Sequence, residues 1–387
     1  MLGSQRERPN PPQAESEERP PKAHRLLELD GLRAFAIFPV ILYHCYPDHG
    51  LLRMIGPWGW AGVDLFFVLS GYLITGILLK TVHKPNYYKN FFARRTIRIF
   101  PLYYLCLAVF MIATKLTGPA AWKSMQEWGG WPWFVFFVGN VRIGWVNMWP
   151  PIFSVLPLWS LQVEEQFYIL YPLIVSKLST RSLRRLLIGV VFAATLLRMY
   201  LAAFVPGSTL ASYVLMPCRM DALALGGLVA LLHRSKSKIS ASPFVVSFAV
   251  ALGVVILLGS VPFAASSAIA GTIQHSLIEV TFAALLAAII LAPNAKLVAL
   301  LRLQPLVYSG RIAYGLYLLH VPAAWIARKL VFRFTSVDVH GLFVDVPITF
   351  GAAFIAASLS WHFLELPILA LKARFSSDQS EPIARTA

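Results

Sequence analysis

Ten apolar stretches limit what this chain can fold into. They run near 32–47, 60–79, 99–116, 158–176, 186–205, 215–233, 244–262, 272–292, 311–332 and 345–370. A helix needs about 20 apolar residues to cross the hydrocarbon core of a bilayer. The first stretch is short and draws on its flanks; the others approach or reach that length. Inside lipid the backbone must satisfy its own N–H and C=O groups, so an apolar run of this length crosses as a helix. The chain is therefore read as all-α, a polytopic membrane helix bundle with about ten transmembrane helices. Composition agrees. The sequence is 57% hydrophobic and 13% charged, and a soluble domain carries about twice that charged share.

Positive charge orients the bundle, because loops rich in Lys and Arg stay cytoplasmic. With the N-terminus inside, the second stretch returns to a loop holding Lys84, Lys89, Arg94, Arg95 and Arg98. Later inside loops carry Lys177, Arg181, Arg184 and Arg185, then Arg234, Lys236 and Lys238, then Lys296 and Arg302, and finally Lys372 and Arg374. The Trp- and Phe-rich run 131–146 breaks this pattern if it crosses, so 117–157 is read as an external or re-entrant element. Both termini are then cytoplasmic. Arg328, Lys329 and Arg333, near the outer end of the ninth stretch, fit less well.

The net charge of +16 is assigned to cytoplasmic loops facing anionic lipid. No basic stripe with interleaved aromatics points to nucleic acid. Residues 1–25 are polar, rich in Pro and Glu and without an apolar core, which reads as a disordered cytoplasmic tail and not as a signal peptide. A membrane domain of 26–372 and a disordered tail of 373–387 complete the layout. The three cysteines, Cys45, Cys106 and Cys218, lie in or beside apolar stretches with no C-x-x-C spacing. They imply neither a disulfide framework nor a thiolate metal cage. No internal repeat is visible. The chemistry is expected inside the bundle.

An ionisable side chain in a membrane segment is costly and marks function by default. Arg33 and His44 are eleven residues apart in the first stretch. Eleven helical steps come to about three turns plus 20°, so the two share one face. They stand about 16 Å apart along the axis. The plainer alternatives are an arginine snorkelling to headgroups and a structural histidine. Asp64 opens the second stretch, where a carboxylate suits the helix dipole; it is also a candidate partner for His44, since a carboxylate orients an imidazole. Arg95 and Arg98 share a face and suit phosphate, beside their role as cytoplasmic charge. Ser160 and Glu164 share a face at the start of the fourth stretch, with Glu164 or Glu165 turned inward. Arg219 with Asp221, Tyr317 with His320, and His362 with Glu365 read mainly as packing and polar glue. His44, His320 and His362 lack the spacing of a zinc motif, so no metal site is expected.

These motifs together resemble the acyltransferase type 3 family of integral-membrane acyltransferases. The resemblance covers about 27–370. It rests on Leu29–Arg33 with His44, Gly62–Gly71, Phe92–Pro101, Leu158–Tyr168, Pro217–Gly226, Tyr314–His320 and Glu365–Pro367, in that order. It implies transfer of an acyl group, usually acetyl, from cytoplasmic acyl-CoA to a hydroxyl, often on a cell-envelope carbohydrate or lipid-linked glycan. It implies Arg33 and His44 as the critical pair and places the family's arginine pair on Arg95 and Arg98. No soluble esterase-like domain of the kind some members carry is seen.

The mechanism expected from this resemblance makes His44 the general base, with Asp64 or Glu164 orienting it. Arg95 and Arg98 grip the phosphates of acyl-CoA, and Arg33 binds phosphate or polarises the carbonyl. Acyl-CoA is a donor substrate, and no cofactor is expected to be tightly bound. The location implied is the plasma membrane of a bacterium. The main rival is a proton-coupled transporter using the same His, Arg and Glu groups, although the stretches show no inverted repeat. A structural membrane subunit leaves the Arg33/His44 face unexplained.

Overall fold

The structure, a computed structural model, describes residues 26–44, 58–235, 239–260, 268–335 and 342–375. Cys45, residues 1–25 and residues 376–387 of the two expected tails lie outside them. The helices in chain order are α1 (Leu27–His44), α2 (Ala61–Thr81), α3 (Tyr87–Thr117), α4 (Pro119–Trp128), α5 (Pro132–Val135), α6 (Gly139–Val146), α7 (Leu158–Lys177), α8 (Thr180–Phe204), α9 (Thr209–Val214), α10 (Met220–Arg234), α11 (Ser242–Ser260), α12 (Ala268–Leu291), α13 (Lys296–Leu301), α14 (Gln304–Arg311), α15 (Ala313–Thr335), α16 (Leu342–Ser360) and α17 (Leu366–Ala370). Among the described residues there is no strand.

Ten principal helices fall on the ten apolar stretches: α1, α2, α3, α7, α8, α10, α11, α12, α15 and α16. Among the described residues, five segments are long and apolar enough to cross a membrane: Ala61–Thr81, Tyr87–Leu116, Thr180–Phe204, Gly271–Leu291 and Val344–Phe375. The remaining helices are shorter or carry charge, such as Glu28, Asp30 and Arg33 in α1. Burial separates centre from rim. In its most apolar window α2 is 67% buried, against 17% for α8 and 11% for the last segment. So α2 is the axis, and α8 and α16 turn apolar faces outward.

Close backbone approach fixes α2 against α10. A Cβ on Gly71 would collide with the Leu223 carbonyl, and one on Gly226 with the Val68 carbonyl. Reciprocal glycines at a crossing let two helices meet in van der Waals contact, the main attraction available between helices in lipid. The start of α1 is held by its charge. Glu28 and Asp30 occupy its first turn, where the helix dipole favours anions. Arg302 Nε donates to Glu28 Oε2 at 3.0 Å. Burial pushes the Glu28 carboxyl up, but the Arg302 hydrogen bond, a backbone hydrogen bond and the Arg302 charge together hold the group below its ordinary value.

The segment between α3 and α7 is broken up. The run 131–146 forms two short helices, α5 and α6, of 4 and 8 residues, too short to cross. Phe137 between them has φ 56°, and Asn147 after them has φ 48°. The segment packs on α3 and α7 through polar contacts: Tyr103 OH donates to the Phe134 carbonyl at 2.8 Å and Asn140 N to Gln162 Oε1 at 2.7 Å. Arg328 bonds Asp345 through two nitrogens, at 2.6 and 3.1 Å, which ties α15 to α16. A π turn, Trp361–Glu365, follows α16.

Candidate active site

Three cavities follow one another along α1. The first, of about 600 Å³, is lined by Asp30, Arg33, Tyr72, Lys80, His233 and Arg234 among others and lies at the basic end. Arg33 also lines the second, a narrower cavity of about 130 Å³, with Ser70, Arg95, Arg98, Glu164 and Tyr168. Val63 and Tyr317 line both that cavity and a third, a vestibule of about 660 Å³ that contains His44. The periodicity of one helix thus puts a guanidinium at the first junction and an imidazole in the last chamber.

The middle cavity gathers positive charge from two helices. Arg33 comes from α1, and Arg95 and Arg98 from α3. Arg33 Nη1 donates to Asp30 Oδ1 at 2.7 Å. Arg95 lies 5.5 Å from the centre of the Tyr168 ring and 5.8 Å from that of Phe91. Arg98 lies 6.0 Å from the ring of Trp361, which the π turn supplies. Among the described residues no carboxylate is within ion-pair distance of Arg95 or Arg98. Glu164 is the acidic group of the chamber. It accepts from Ser70 Oγ at 2.6 Å and from Tyr168 OH at 2.9 Å. Arg33 is answered by Asp30, and Arg95 and Arg98 share the cavity with the one fixed carboxylate of Glu164, which leaves it electropositive and suited to phosphate.

In the vestibule, His44 Nδ1 lies 2.8 Å from the Val40 carbonyl. A carbonyl only accepts, so Nδ1 carries the hydrogen and Nε2 keeps its lone pair in the neutral ring. His320 is arranged alike, with Nδ1 2.9 Å from the Tyr317 carbonyl and 3.1 Å from that of Leu316. The two imidazoles meet edge to face, with centroids 4.8 Å apart. Tyr317 OH donates to the Pro157 carbonyl at 3.0 Å and lies 2.6 Å from Ser160 Oγ. A base with a free nitrogen thus stands beside a polar hinge between the chambers.

Asp64 is not beside His44. It is fully buried and pairs with Arg219, and His275 Nδ1 lies 3.8 Å from its second oxygen. Glu164 does not touch His44 either. Asp64 belongs to a closed cluster in the core: Arg198 pairs with Asp221 and donates to Ser276 Oγ at 2.8 Å, and both arginines lie 3.7 Å from Glu279. Two guanidiniums and three carboxylates are buried together, with the half-buried His275 at their edge.

The structure brings Arg33, Arg95, Arg98 and Glu164 to one chamber and His44 to the next, whereas sequence reasoning set Glu164 or Asp64 beside His44. That reasoning passed over Arg198, His275 and Glu279, and it placed His320 in packing. The signal for the first three was present, since each is an ionisable residue inside an apolar stretch, and His275 and Glu279 are four apart on one face of α12.

Comparison with known proteins accords with this geometry. The chain is 27% identical over 366 residues to O-acetyltransferase OatA of Staphylococcus aureus (strain NCTC 8325 / PS 47), covering 88% of this chain and 56% of that protein. It is 29% identical over 372 residues to peptidoglycan O-acetyltransferase OatA of Listeria monocytogenes, covering 88% and 55%. It is 30% identical over 380 residues to the putative peptidoglycan O-acetyltransferase YrhL of Bacillus subtilis, covering 89% and 55%. The chain therefore spans a little over half the length of these curated relatives. No solved structure matches it. Residues 26–364 match the family described as an acyltransferase domain, and over that length, nearly all of the chain, the protein belongs to this family of membrane acyltransferases.

Proposed function

We propose that this chain moves an acyl group, acetyl in the first instance, from cytoplasmic acyl-CoA to a hydroxyl of a cell-envelope carbohydrate. In this reading its ten principal helices cross the plasma membrane of a bacterium, and both termini are cytoplasmic. The observation that carries it is the run of cavities along α1, which joins three guanidiniums to His44. The relatives' names support a carbohydrate acceptor of the peptidoglycan type. The family match lends the transporter reading no support.

Acyl-CoA enters at the basic end. Its phosphates are held by Arg95 and Arg98, and Arg33 grips the donor at the junction between the first two cavities. The rise of about 16 Å between Arg33 and His44 is too long for both to touch one carbonyl. Arg33 is therefore assigned to binding. The same distance suits an extended pantetheine arm, which delivers the thioester towards the vestibule. There the acceptor hydroxyl attacks the thioester carbonyl carbon while its proton passes to His44 Nε2. A C–O bond forms, the C–S bond breaks, and the leaving thiolate takes up the proton, returning His44 to its neutral form. Glu164, held by Ser70 and Tyr168, is assigned to fixing the guanidinium chamber. Asp64, held by Arg219, is assigned to the core.

The test supplies labelled acetyl-CoA to the cytoplasmic side of membranes holding wild type or His44→Ala at matched levels. Label in envelope glycans should fall by about 10²–10⁴-fold in the variant, the range for loss of a general base. Equal labelling would remove His44 from the chemistry.

A further inference from the structure

The vestibule that holds His44 is walled by rings. Tyr, Trp and Phe supply seven of its thirteen lining residues, and among those residues the only ionisable side chains besides tyrosine are His44 and His275. Among the described residues, neither a carboxylate nor a guanidinium opens into it. A polyanionic acceptor would find no counter-charge here, and a bare lipid tail would leave two imidazoles unsatisfied. The chamber suits a neutral molecule with one apolar face and a hydrogen-bonding edge.

The rings form a built platform. Tyr213 is its centre: its ring lies 4.9 Å from Trp159, 6.3 Å from Trp149, 6.5 Å from Trp60 and 5.7 Å from His275. The Arg219 guanidinium sits 5.5 Å from the Tyr213 centroid. Arg219 is itself paired with Asp64, and Arg219 Nη1 lies 3.1 Å from His275 Nδ1. The buried charge cluster therefore fastens both the central ring and the imidazole beside it. Trp60 is half-buried and lies 4.3 Å from the His275 ring; Trp149 is half-buried as well. Rigid aromatic faces beside a fixed imidazole offer contact area at low cost in side-chain entropy.

We propose that this chamber is the acceptor site and that it takes a neutral pyranose ring, seated in the aromatic corner that Trp60 and Trp149 make with Tyr213 at interplanar angles of 77° and 76°, with one hydroxyl presented to His44 and another hydrogen-bonded by His275. The C–H face of a pyranose matches the aromatic wall, and its equatorial hydroxyls match the imidazoles. The inference rests on the acyl-transfer reading above and deepens it, because it names the chemistry that selects the acceptor.

The test uses the full chain in nanodiscs and a β-1,4-linked tetramer of N-acetylglucosamine as probe, followed by saturation-transfer NMR. Sorbitol, which has the hydroxyls without the ring face, is the comparison ligand. Wild type should bind the tetramer saturably and sorbitol at least about tenfold more weakly, a factor within reach of aromatic contacts. Trp149→Leu should weaken the tetramer by about tenfold and Trp149→Phe by less than about threefold, since the aromatic face remains. The exposed Trp145→Leu should change nothing, and CoA binding should be equal in all four proteins. No saturable signal from wild type, equal binding of sorbitol, or an unchanged Trp149→Leu would each overturn the site. Labelled acetyl-CoA separates the two claims. Label transferred at equal rates by every Trp149 variant sinks the sugar site and leaves acyl transfer standing. Tetramer bound as expected with no transfer sinks acyl transfer and leaves the sugar site.

Discussion

The molecule buries arginine in two ways. In the middle cavity, Arg95 and Arg98 lean on aromatic rings and face open volume, with Glu164 as the fixed acidic group beside them. In the core, Arg198 and Arg219 are 2% and 1% exposed and are surrounded by Asp64, Asp221 and Glu279. Both settings satisfy the rule that an intramembrane charge marks something important. They differ in what completes the charge. The core arginines are answered by the chain's own carboxylates, so their task is to hold α2, α8, α10 and α12 together. The cavity arginines leave positive charge to be answered by a ligand. Charge balance and open volume tell the two apart, and exposure runs the same way, since Arg95 and Arg98 are only half-buried.

The sharpest way to break this comparison is to exchange the consequences. Arg219→Ala leaves Asp64 buried without its partner, and breaking a buried pair costs about 3–5 kcal/mol. The variant should lose most of its folded yield and unfold at markedly lower temperature in detergent, as read by size-exclusion chromatography and thermal melting. Arg95→Ala should leave the melting temperature near that of wild type. If Arg95→Ala destabilised as strongly as Arg219→Ala, the division into holding and binding arginines would fail.

A second, smaller effect sharpens the binding side. Arg95→Ala or Arg98→Ala should raise KM for acyl-CoA by about ten- to a hundredfold, the loss of one charge-assisted contact, while kcat falls less. Lysine at either position should recover only part of the loss, because an ammonium cannot offer the planar fork that a phosphate accepts. Donor kinetics on matched amounts of folded protein decide it. A change in kcat alone would move these arginines from donor binding to the chemical step.

Sequence and structure agree where the physics is local. Hydrophobic length alone marked the segments that became the ten principal helices. Helical period put Arg33 and His44 on one face, and the three-residue spacing of Arg95 and Arg98 put both in one cavity. Ser160 and Glu164, four apart, line that cavity too. The contacts that escaped are those between residues distant along the chain. Asp64 sits in the first turn of α2, which made His44 a natural partner in the reading of adjacent helix ends. Its partners came instead from α12 and from the residue just before α10, because reciprocal glycines draw α10 against α2 and bring Arg219 into reach. No spacing rule connects Asp64 with Arg219. His320 escaped for another reason. Its bonds to Leu316 and Tyr317 are what a packing histidine makes, and only the fold reveals that its ring lies against His44.

The smallest effect tests whether charge pairs at the end of the bundle belong with the holding class. Glu28 lies ahead of the apolar run that begins near 32, and its carboxyl accepts from Arg302 at the basic end of α1. Burial raises its proton affinity, but the Arg302 hydrogen bond, a backbone hydrogen bond and the Arg302 charge together prevail, and the group stays below its ordinary value in the folded protein. A carboxylate depressed in this way contributes stability that is fully present above its unfolded value and is lost as pH falls through the folded one. Melting temperature should therefore decline on acidification below the usual carboxylate range, and Glu28→Gln should flatten part of that decline. The shift should be well below that of Arg219→Ala, because Arg302 is partly exposed to water, which screens the pair. Thermal melts of both proteins from neutral to acid pH, at low and high salt, measure it. A Glu28→Gln profile identical to wild type at low salt would mean that the pair holds nothing. A loss as large as that of Arg219→Ala would place the end of α1 with the core and make exposure a poor guide to which pairs hold the bundle together.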